Sequence, residues 1–305
     1  MKWIKQGLIF KPENYNFPWI NSYAWVPSIE CVKDNLFKVY FGGRDKENYT
    51  QTGYFIFNIT NPKKILHVSP NPIISLGPLG SFDDSLALAC SLVKKGNIKY
   101  LYYVGWMSAG KVRYYPSIGL AISCDFGQTF HKLSKAPLLA RDNEEPFGMA
   151  SPFVMRDNEV WKMWYASYRW WETRNNEPWP HYEIRYAESR NGINWTRFNT
   201  TCLGSDHEEA IARPWVMKEN GIYKMWYCYR KNYDTYRMGY AESNNGVDWK
   251  RMDEKVGIDV SLHGWDSEMI EYPCIFDHRN DRYMLYNGNN HGQTGIGLAK
   301  LSKEV

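Results

Sequence analysis

Short runs of alternating apolar and polar residues, separated by turn signals, recur along the whole chain. One stretch holds four such runs, at residues 213–217, 223–229, 236–243 and 249–252. Between them lie segments such as Lys218-Glu-Asn-Gly221 and Ser243-Asn-Asn-Gly246, each with a glycine that can adopt a positive φ in a turn. Runs of this length, rich in aromatic and β-branched residues, are typical of β-strands. The stretch therefore predicts four short strands.

The same pattern repeats about every 62 residues along the chain. Ser151-Pro-Phe-Val-Met155 followed by Trp161-Lys-Met-Trp-Tyr165 matches Arg213-Pro-Trp-Val-Met217 followed by Tyr223-Lys-Met-Trp-Tyr227. Fainter copies put the anchor residue, proline in four units and alanine in one, at positions 27, 89, 152, 214 and 273. Five units of four strands predict an all-β, five-bladed β-propeller with four antiparallel strands per blade, as a single domain over residues 1–305.

The two ends of the chain predict how such a ring closes. The last unit stops after three strands, near residue 301, whereas Trp3-Ile-Lys-Gln6 resembles the fourth-strand starts Trp195-Thr-Arg-Phe198 and Trp249-Lys-Arg-Met252. We therefore expect the N-terminal strand to complete the last blade, which would remove an exposed sheet edge.

Composition and charge exclude several function classes. The net charge of +4 over 305 residues is too weak and too even to favour a nucleic-acid partner. No apolar run has the length of a membrane span, and the N-terminus lacks the apolar stretch of a signal peptide, which predicts a cytoplasmic protein. The six cysteines show no metal-ligand spacing, so neither a metal nor another cofactor is predicted. The oligomeric state is left open.

Candidate catalytic groups stand just before the anchors, where the first strands of a propeller meet at the mouth of the central channel. Asp84, Glu209 and Glu268 each lie five residues before the anchor of their unit. Further acidic residues lie close by: Asp83, Glu208, Asp266 and Glu271. Like charges crowded at one mouth would raise the pKa of one carboxyl, which creates an acid beside a base. The alternative is that these carboxylates cap turns or face solvent.

Candidate binding groups stand at the ends of the second strands. The set contains Arg44, Asp45, Trp106, Arg169, Arg230 and His291, and Arg213 lies beside its anchor proline. The arginines either pair with the nearby carboxylates or hold an anionic group such as a phosphate or a sugar carboxylate through their planar guanidinium groups.

With its five units, X-Pro strands and Ser-x-Asn-Gly-x-x-Trp turns, the chain resembles the five-bladed propeller glycoside hydrolases of families 43, 32, 68 and 130. It also resembles short propeller proteins encoded with bacterial surface-polysaccharide biosynthesis genes. The resemblance implies that Asp84 is the nucleophile or base, Glu209 the general acid and Glu268 the pKa modulator. The chain departs from the group in blade 1, where Asn21-Ser-Tyr-Ala-Trp-Val-Pro-Ser28 contains no aspartate. Either Asp45 takes part of that role or the site is built around blades 2, 4 and 5.

Two functions follow. The favoured one is a glycosidase-like enzyme that cleaves or transfers a glycosyl group on an anionic or phosphorylated sugar, or on a nucleotide sugar, in polysaccharide metabolism. The alternative is a non-catalytic carbohydrate-binding propeller, with Trp106, Tyr168, Trp170 and Trp171 stacking on sugars. Carboxylates that converge on an open pocket favour the enzyme, and carboxylates each bonded to a basic residue of their own favour the binding protein.

Overall fold

The structure is a computed structural model that describes residues 1–204, 209–231 and 235–303. It is an all-β fold whose described residues contain twenty strands. The N-terminal strand is β1 (Trp3–Phe10). A first set comprises β2 (Ser22–Lys33), β3 (Leu36–Arg44), β4 (Thr50–Asn58) and β5 (Asn61–Val68), and a second comprises β6 (Leu86–Lys95), β7 (Ile98–Ser108), β8 (Tyr114–Ser123) and β9 (His131–Lys132). The remaining strands are β10 (Met149–Asp157), β11 (Val160–Arg174), β12 (Glu177–Ser189), β13 (Trp195–Leu203), β14 (Glu209–Glu219), β15 (Ile222–Lys231), β16 (Arg237–Ser243), β17 (Lys250–Arg251), β18 (Glu271–His278), β19 (Asp281–Asn287) and β20 (Ile296–Leu301).

These strands pair in sets of four that are antiparallel within each set. The third set forms the sheet β10-β11-β12-β13, the fourth forms β14-β15-β16-β17, and the fifth has the order β1-β20-β19-β18. The first and second sets belong to one eight-stranded sheet, because β4 and β6 meet in a short parallel pairing at Thr50 and Leu86. Helical structure is limited to single turns at Pro12–Asn14, Asp253–Lys255 and Asn289–Gly292 among the described residues. Within the same residues, no helix is long and apolar enough to cross a membrane.

The N-terminal strand pairs with the last strand of the chain, as its resemblance to the fourth strands predicts. β1 runs antiparallel to β20, with Trp3 opposite Leu301 and Phe10 opposite Ile296. The first strands of the sets also contact one another in succession: β2 with β6, β6 with β10, β10 with β14, β14 with β18, and β18 with β2.

Each anchor proline lies in a β-bulge of a first strand. Proline lacks a backbone N–H and cannot donate to a strand ladder, so within sheets it is confined to edges and bulges. The pairing register shifts across the X-Pro pair in four sets, and the residue before each proline has a positive φ: Val26 at 49°, Ser151 at 50°, Arg213 at 54° and Tyr272 at 57°. A positive φ is costly for residues other than glycine, above all for a β-branched one, so the surrounding sheets hold these positions in place.

Tryptophans of the second strands fill the spaces between neighbouring sets. Trp161, Trp164 and Trp226 are fully buried. The indole N–H of Trp164 donates to the carbonyl oxygen of Gly246 in the next sheet at 2.7 Å, so this tryptophan joins two sheets as well as filling the space between them. Burial of a large apolar side chain contributes roughly 2–3 kcal/mol.

The N-terminal strand offers a matched pair of substitutions. The Trp3 side chain is buried and its indole N–H donates to the carbonyl oxygen of Val256 at 3.0 Å, whereas the neighbouring Ile4 is exposed. We expect Trp3→Ala to lower the free energy of unfolding by about 3–5 kcal/mol and Ile4→Ala to change it by less than about 1 kcal/mol. Urea denaturation measures both, and equal losses would contradict the anchoring of β1.

Candidate functional site

A cavity of about 560 Å³ opens where the first strands begin and the second strands end. All five strand sets contribute to its wall, for example through Trp25, Leu88, Tyr168, Arg230 and Tyr272. Aromatic side chains dominate the described lining: Tyr23, Trp25, Trp106, Tyr114, Tyr168, Trp179, Tyr182, Tyr236 and Tyr272. A cavity of this size with aromatic walls is suited to a ligand with flat apolar faces, such as a sugar ring or a nucleobase.

Two arginines reach this cavity, Arg44 from the first strand set and Arg230 from the fourth, and both lie over aromatic rings. The guanidinium carbon of Arg44 lies 4.0 Å from the ring centroid of Tyr23 and 4.5 Å from that of Trp25. The guanidinium carbon of Arg230 lies 4.9 Å from the ring centroid of Trp179 and 5.7 Å from that of Tyr182. Among the described residues, no carboxylate lies within 4.0 Å of either guanidinium. The rings orient these cations without neutralising them.

The described wall of the cavity contains several buried hydrogen-bond donors. The indole N–H groups of Trp25 and Trp106 and the Nε–H of Arg44 are buried and have no hydrogen-bond partner among the described residues. The described lining contains no carboxylate. A third arginine of the wall, Arg113, is bonded to the exposed Glu177 at 3.0 Å. Buried donors without a partner are costly, which favours occupancy by a ligand that brings acceptors.

Behind the described lining of the cavity, a buried acid contacts a lining histidine. The carboxylate of Glu271 is fully buried, and both of its oxygens lie near Nδ1 of His291, at 3.1 and 3.3 Å. Burial raises the pKa of the Glu271 carboxyl, and the negative charge of Glu271 raises the pKa of the His291 imidazole. The side chain of His291 is half exposed and lines the cavity.

Arg213, predicted as a binding residue, is fully buried beside its anchor proline. Its guanidinium donates to the carbonyl oxygen of Cys90 at 2.8 Å and to that of Pro27 at 3.0 Å. It therefore joins the first strand of the fourth set to those of the first and second sets, and it is absent from the described cavity lining.

Most of the acids before the anchors bind within their own set. In the fifth set, Asp266 accepts from the Tyr286 hydroxyl at 2.9 Å and from Lys5 Nζ at 2.7 Å. In the second set, Asp83 accepts from the Tyr103 hydroxyl at 2.9 Å and from Lys132 Nζ at 2.6 Å. We call this arrangement of a buried carboxylate, a second-strand tyrosine and a fourth-strand lysine or arginine the sheet tie.

The third set contains the same arrangement, and the fourth contains a variant in which two carboxylates share one arginine. Glu145 accepts from the Tyr165 hydroxyl at 2.9 Å and from Arg197 at 3.1 Å. In the fourth set, Arg251 bonds Glu209 at 2.8 Å and also Asp253, which accepts from the Tyr227 hydroxyl. Asp83, Glu209 and Asp266 are thus bonded to basic residues of their own sheets and do not belong to the described cavity lining.

The remaining predicted residues lie in turns, on the surface or outside the described residues. Asp84 accepts from the backbone N–H of Gly80 at 2.9 Å and from the Ser85 hydroxyl at 2.7 Å, and Asp45 accepts from the N–H groups of Glu47 and Tyr49. Glu268 is exposed. Arg169 pairs with Glu183 at 3.2 Å. Glu208 lies outside the described residues.

Of the predicted binding residues, the structure brings Arg44, Trp106, Arg230 and His291 together around the cavity. The predicted stacking residue Tyr168 also lines it, whereas Trp170 and Trp171 do not appear in the described lining. The sequence analysis did not single out the rings under the two arginines. The Pro178-Trp-Pro180 segment was a signal for one of them, because it interrupts the strand pattern with an aromatic residue between two prolines. No group of three or more potential metal ligands occurs among the described residues.

Comparisons with known proteins identify a relative of similar sequence and solved structures with a similar fold. No family model matches the chain. The uncharacterized protein Rv1502 of Mycobacterium tuberculosis is 40% identical to it over 304 residues, which cover 99% of both proteins. The structure of a BT0996 complex with RGII has a TM-score of 0.78 at 15% identity, and the match covers 99% of this protein and 92% of that one.

Two further solved structures share the fold. A structure of the GH130 family of mannoside phosphorylases, which contains glycoside hydrolases, has a TM-score of 0.70 at 13% identity and covers 99% of this protein and 94% of that one. A thermostable family-43 glycoside hydrolase has a TM-score of 0.67 at 14% identity, with 95% and 93% coverage. The predicted resemblance to glycoside hydrolase-fold proteins is therefore confirmed at the level of the fold.

Asp266 and Glu268 provide a test of the sheet tie on a single loop. Asp266→Asn removes the charge that pairs with Lys5, so we expect it to lower the free energy of unfolding by about 2–3 kcal/mol, the usual worth of a hydrogen bond to a charged group. The exposed Glu268→Gln is expected to change it by no more than about 0.5 kcal/mol. Urea denaturation at neutral pH measures the free energy of unfolding of both variants. If the tie does not stabilise the fold, both variants will be as stable as the parent.

Proposed function

The chain belongs to the same protein family as Rv1502 of Mycobacterium tuberculosis, and we propose that it binds an anionic saccharide in its central aromatic cavity. The ligand class is a sugar that carries a phosphate, a diphosphate or a carboxylate group. The observation that carries the proposal is the pair Arg44 and Arg230, two cations held on aromatic rings without a carboxylate partner among the described residues.

The architecture we propose for this site is a single domain over residues 1–305, a five-bladed propeller in which each four-stranded set is one blade. The successive contacts of the first strands support it, since the last of them joins β18 back to β2. The pairing of β1 with β20 supports closure through the N-terminal strand. In this arrangement the cavity is the mouth of the central channel, so one ligand touches residues from several blades.

The aromatic wall supports a saccharide as the body of the ligand. Sugar rings present apolar C–H faces that pack on tyrosine and tryptophan, while their hydroxyl oxygens accept hydrogen bonds. The unpartnered indole N–H groups of Trp25 and Trp106 are donors for such oxygens. The anionic group would lie between Arg44 and Arg230. Both guanidinium groups could then donate charge-assisted hydrogen bonds, which are stronger than those between neutral groups.

Glycosyl-bond cleavage stays a prediction, and the glycoside hydrolase fold is its support. Glycosidases of the usual kind place two carboxyl groups beside the scissile bond. Of the predicted catalytic acids, Glu209 forms an ion pair with Arg251, Asp84 accepts a hydrogen bond within its own turn, and Glu268 is exposed. This distribution favours the binding protein over the two-carboxylate enzyme. A panel of activated glycosides and nucleotide sugars, with product analysis, tests the enzymatic alternative directly.

Removal of either cavity arginine should weaken binding of an anionic sugar selectively. We expect Arg44→Gln and Arg230→Gln to raise the Kd for glucuronate or glucose 6-phosphate roughly tenfold or more, which corresponds to the loss of one charge-assisted hydrogen bond. The Kd for uncharged glucose should change far less. Calorimetric titration at two salt concentrations measures both, because added salt screens the charged contact.

Arg141 supplies the matched control. Its guanidinium also lies over a tyrosine ring, 4.2 Å from the centroid of Tyr115, but outside the described lining of the cavity. Arg141→Gln should leave the Kd of the same sugars unchanged. If all three variants bind anionic and neutral sugars as the parent does, the cavity is not an anionic-saccharide site.

A further inference from the structure

The contact between Glu271 and His291 gives the cavity a third group that responds to anions. Glu271 opens strand β18 with a fully buried carboxylate, and His291 follows β19 in the turn Asn289–Gly292. Nδ1 of His291 faces both carboxylate oxygens, so Nε2 is the nitrogen on the half-exposed side of the ring. A buried carboxylate that holds one imidazole nitrogen fixes the orientation of the other.

The turn that carries His291 is held in an unusual backbone conformation. Asn290 and His291 both have a positive φ, at 53° and 57°. Asn289 fixes the turn by accepting from the backbone N–H of Glu268 at 2.8 Å and by donating to the carbonyl oxygen of Gly264 at 3.1 Å. Two successive non-glycine residues in this region are costly, and such positions concentrate at functional sites.

Other charged and titratable groups face His291 from the neighbouring elements. Arg44 at the end of β3 and Arg230 on β15 act on the imidazole electrostatically and disfavour its charged form. The ring of Tyr236, just before β16, lies 5.8 Å from the imidazole centroid. Glu271 opposes the arginines, and its effect is the largest, so the pKa of His291 lies above its ordinary value.

The proton on this pair decides what His291 presents to a ligand. With one shared proton, either an imidazolium faces a carboxylate or a neutral imidazole accepts from a carboxylic acid, and in both forms Nε2 carries a hydrogen. When that proton is lost, Nδ1–H donates to the ionised Glu271 and Nε2 becomes an acceptor. An acceptor repels an anion, whereas a donor binds it.

We propose that His291 binds the anion while the Glu271–His291 pair holds its proton, and so completes a three-cation site with Arg44 and Arg230. When the pair loses that proton, His291 releases the anion. This inference rests on the proposed anionic-saccharide function and adds its regulation by pH. Nε2–H of His291 donates to the anionic oxygens, and each anion bound above the titration midpoint of the pair brings one proton into the protein.

The sign of the pH dependence follows from this linkage. Below the midpoint the pair already holds its proton and affinity is constant. Above the midpoint, affinity falls by up to about tenfold for each pH unit, because a proton is taken up with the anion, until it reaches the affinity that the two arginines provide alone. Glu271→Gln removes the charge that holds the proton while Arg44 and Arg230 remain, so it should move the midpoint to lower pH.

Inorganic sulfate is a suitable probe because it stays a dianion between about pH 5.5 and 8.5, the range in which a histidine titrates. Sulfate binding and the imidazole resonances of His291 are followed together by NMR across this range. We expect the parent to lose affinity for sulfate as the pH rises, and the midpoint of this loss should match the titration midpoint of the His291 resonance. His291→Gln should bind more weakly and without pH dependence, and the exposed His263→Gln should match the parent.

The outcomes separate this inference from the proposed function. Sulfate affinity that is independent of pH in the parent but falls in Arg230→Gln would overturn the role of His291 and leave the anionic-saccharide proposal standing. No sulfate binding at any pH would overturn the three-cation site, and sugar titrations would then decide the proposed function. If Glu271→Gln does not fold, the half-exposed His291→Gln and the His291 resonance in the parent still decide the inference.

Discussion

The buried carboxylate of the sheet tie is the interaction on which the rest of this fold depends. A carboxylate such as Asp266 or Asp83 is costly to bury unless a cation and hydrogen-bond donors surround it. Here a hydroxyl from the second strand and a lysine or arginine from the fourth strand converge on it, so three separate segments must be in register at once. Because the carboxylate lies just before the first strand, the tie fixes where that strand begins and therefore where the cavity wall stands.

The tie also explains how the two ends of the chain are joined. Lys5 belongs to the N-terminal strand, whereas Asp266 and Tyr286 lie near the other end, and the three groups meet at one carboxylate. The fourth set varies the same plan, since Arg251 spans two carboxylates, Glu209 and Asp253. Acids that appear in the sequence to converge on a channel are thereby held within the sheets.

The sequence predicted the repeat, the strands and four residues at the ends of the second strands that line the cavity, because each is a local pattern that recurs. It did not predict the ties. The fourth-strand basic residues do recur, in Phe130-His-Lys132, Trp195-Thr-Arg197, Trp249-Lys-Arg251 and Trp3-Ile-Lys5, but their partners lie up to 261 positions away. Counting back from the anchor did not identify the buried acids, because these positions lie in the loops before β6 and β18, where side chains do not alternate as they do along a strand. The count therefore selected Asp84 and Glu268 where the structure buries Asp83 and Asp266.

Among the described residues, the cavity is cationic because acids near the first strands are paired with bases inside the sheets, whereas arginines line the cavity. The ties occupy the second and fourth strands and the loop before the first, whereas the described lining comes from first strands, from the ends of second strands, where Arg44 and Arg230 lie, and from the starts of third strands. Aromatic rings orient those guanidinium groups without neutralising their charge, and Arg230 is also held by a hydrogen bond to the carbonyl oxygen of Pro180 at 2.5 Å. The described acid Glu271 lies behind the imidazole of His291, and its negative charge raises the pKa of that ring. Among the described residues, the cavity therefore presents donors and cations, and its lining lacks the two carboxyl groups that a glycosidase of the usual kind requires.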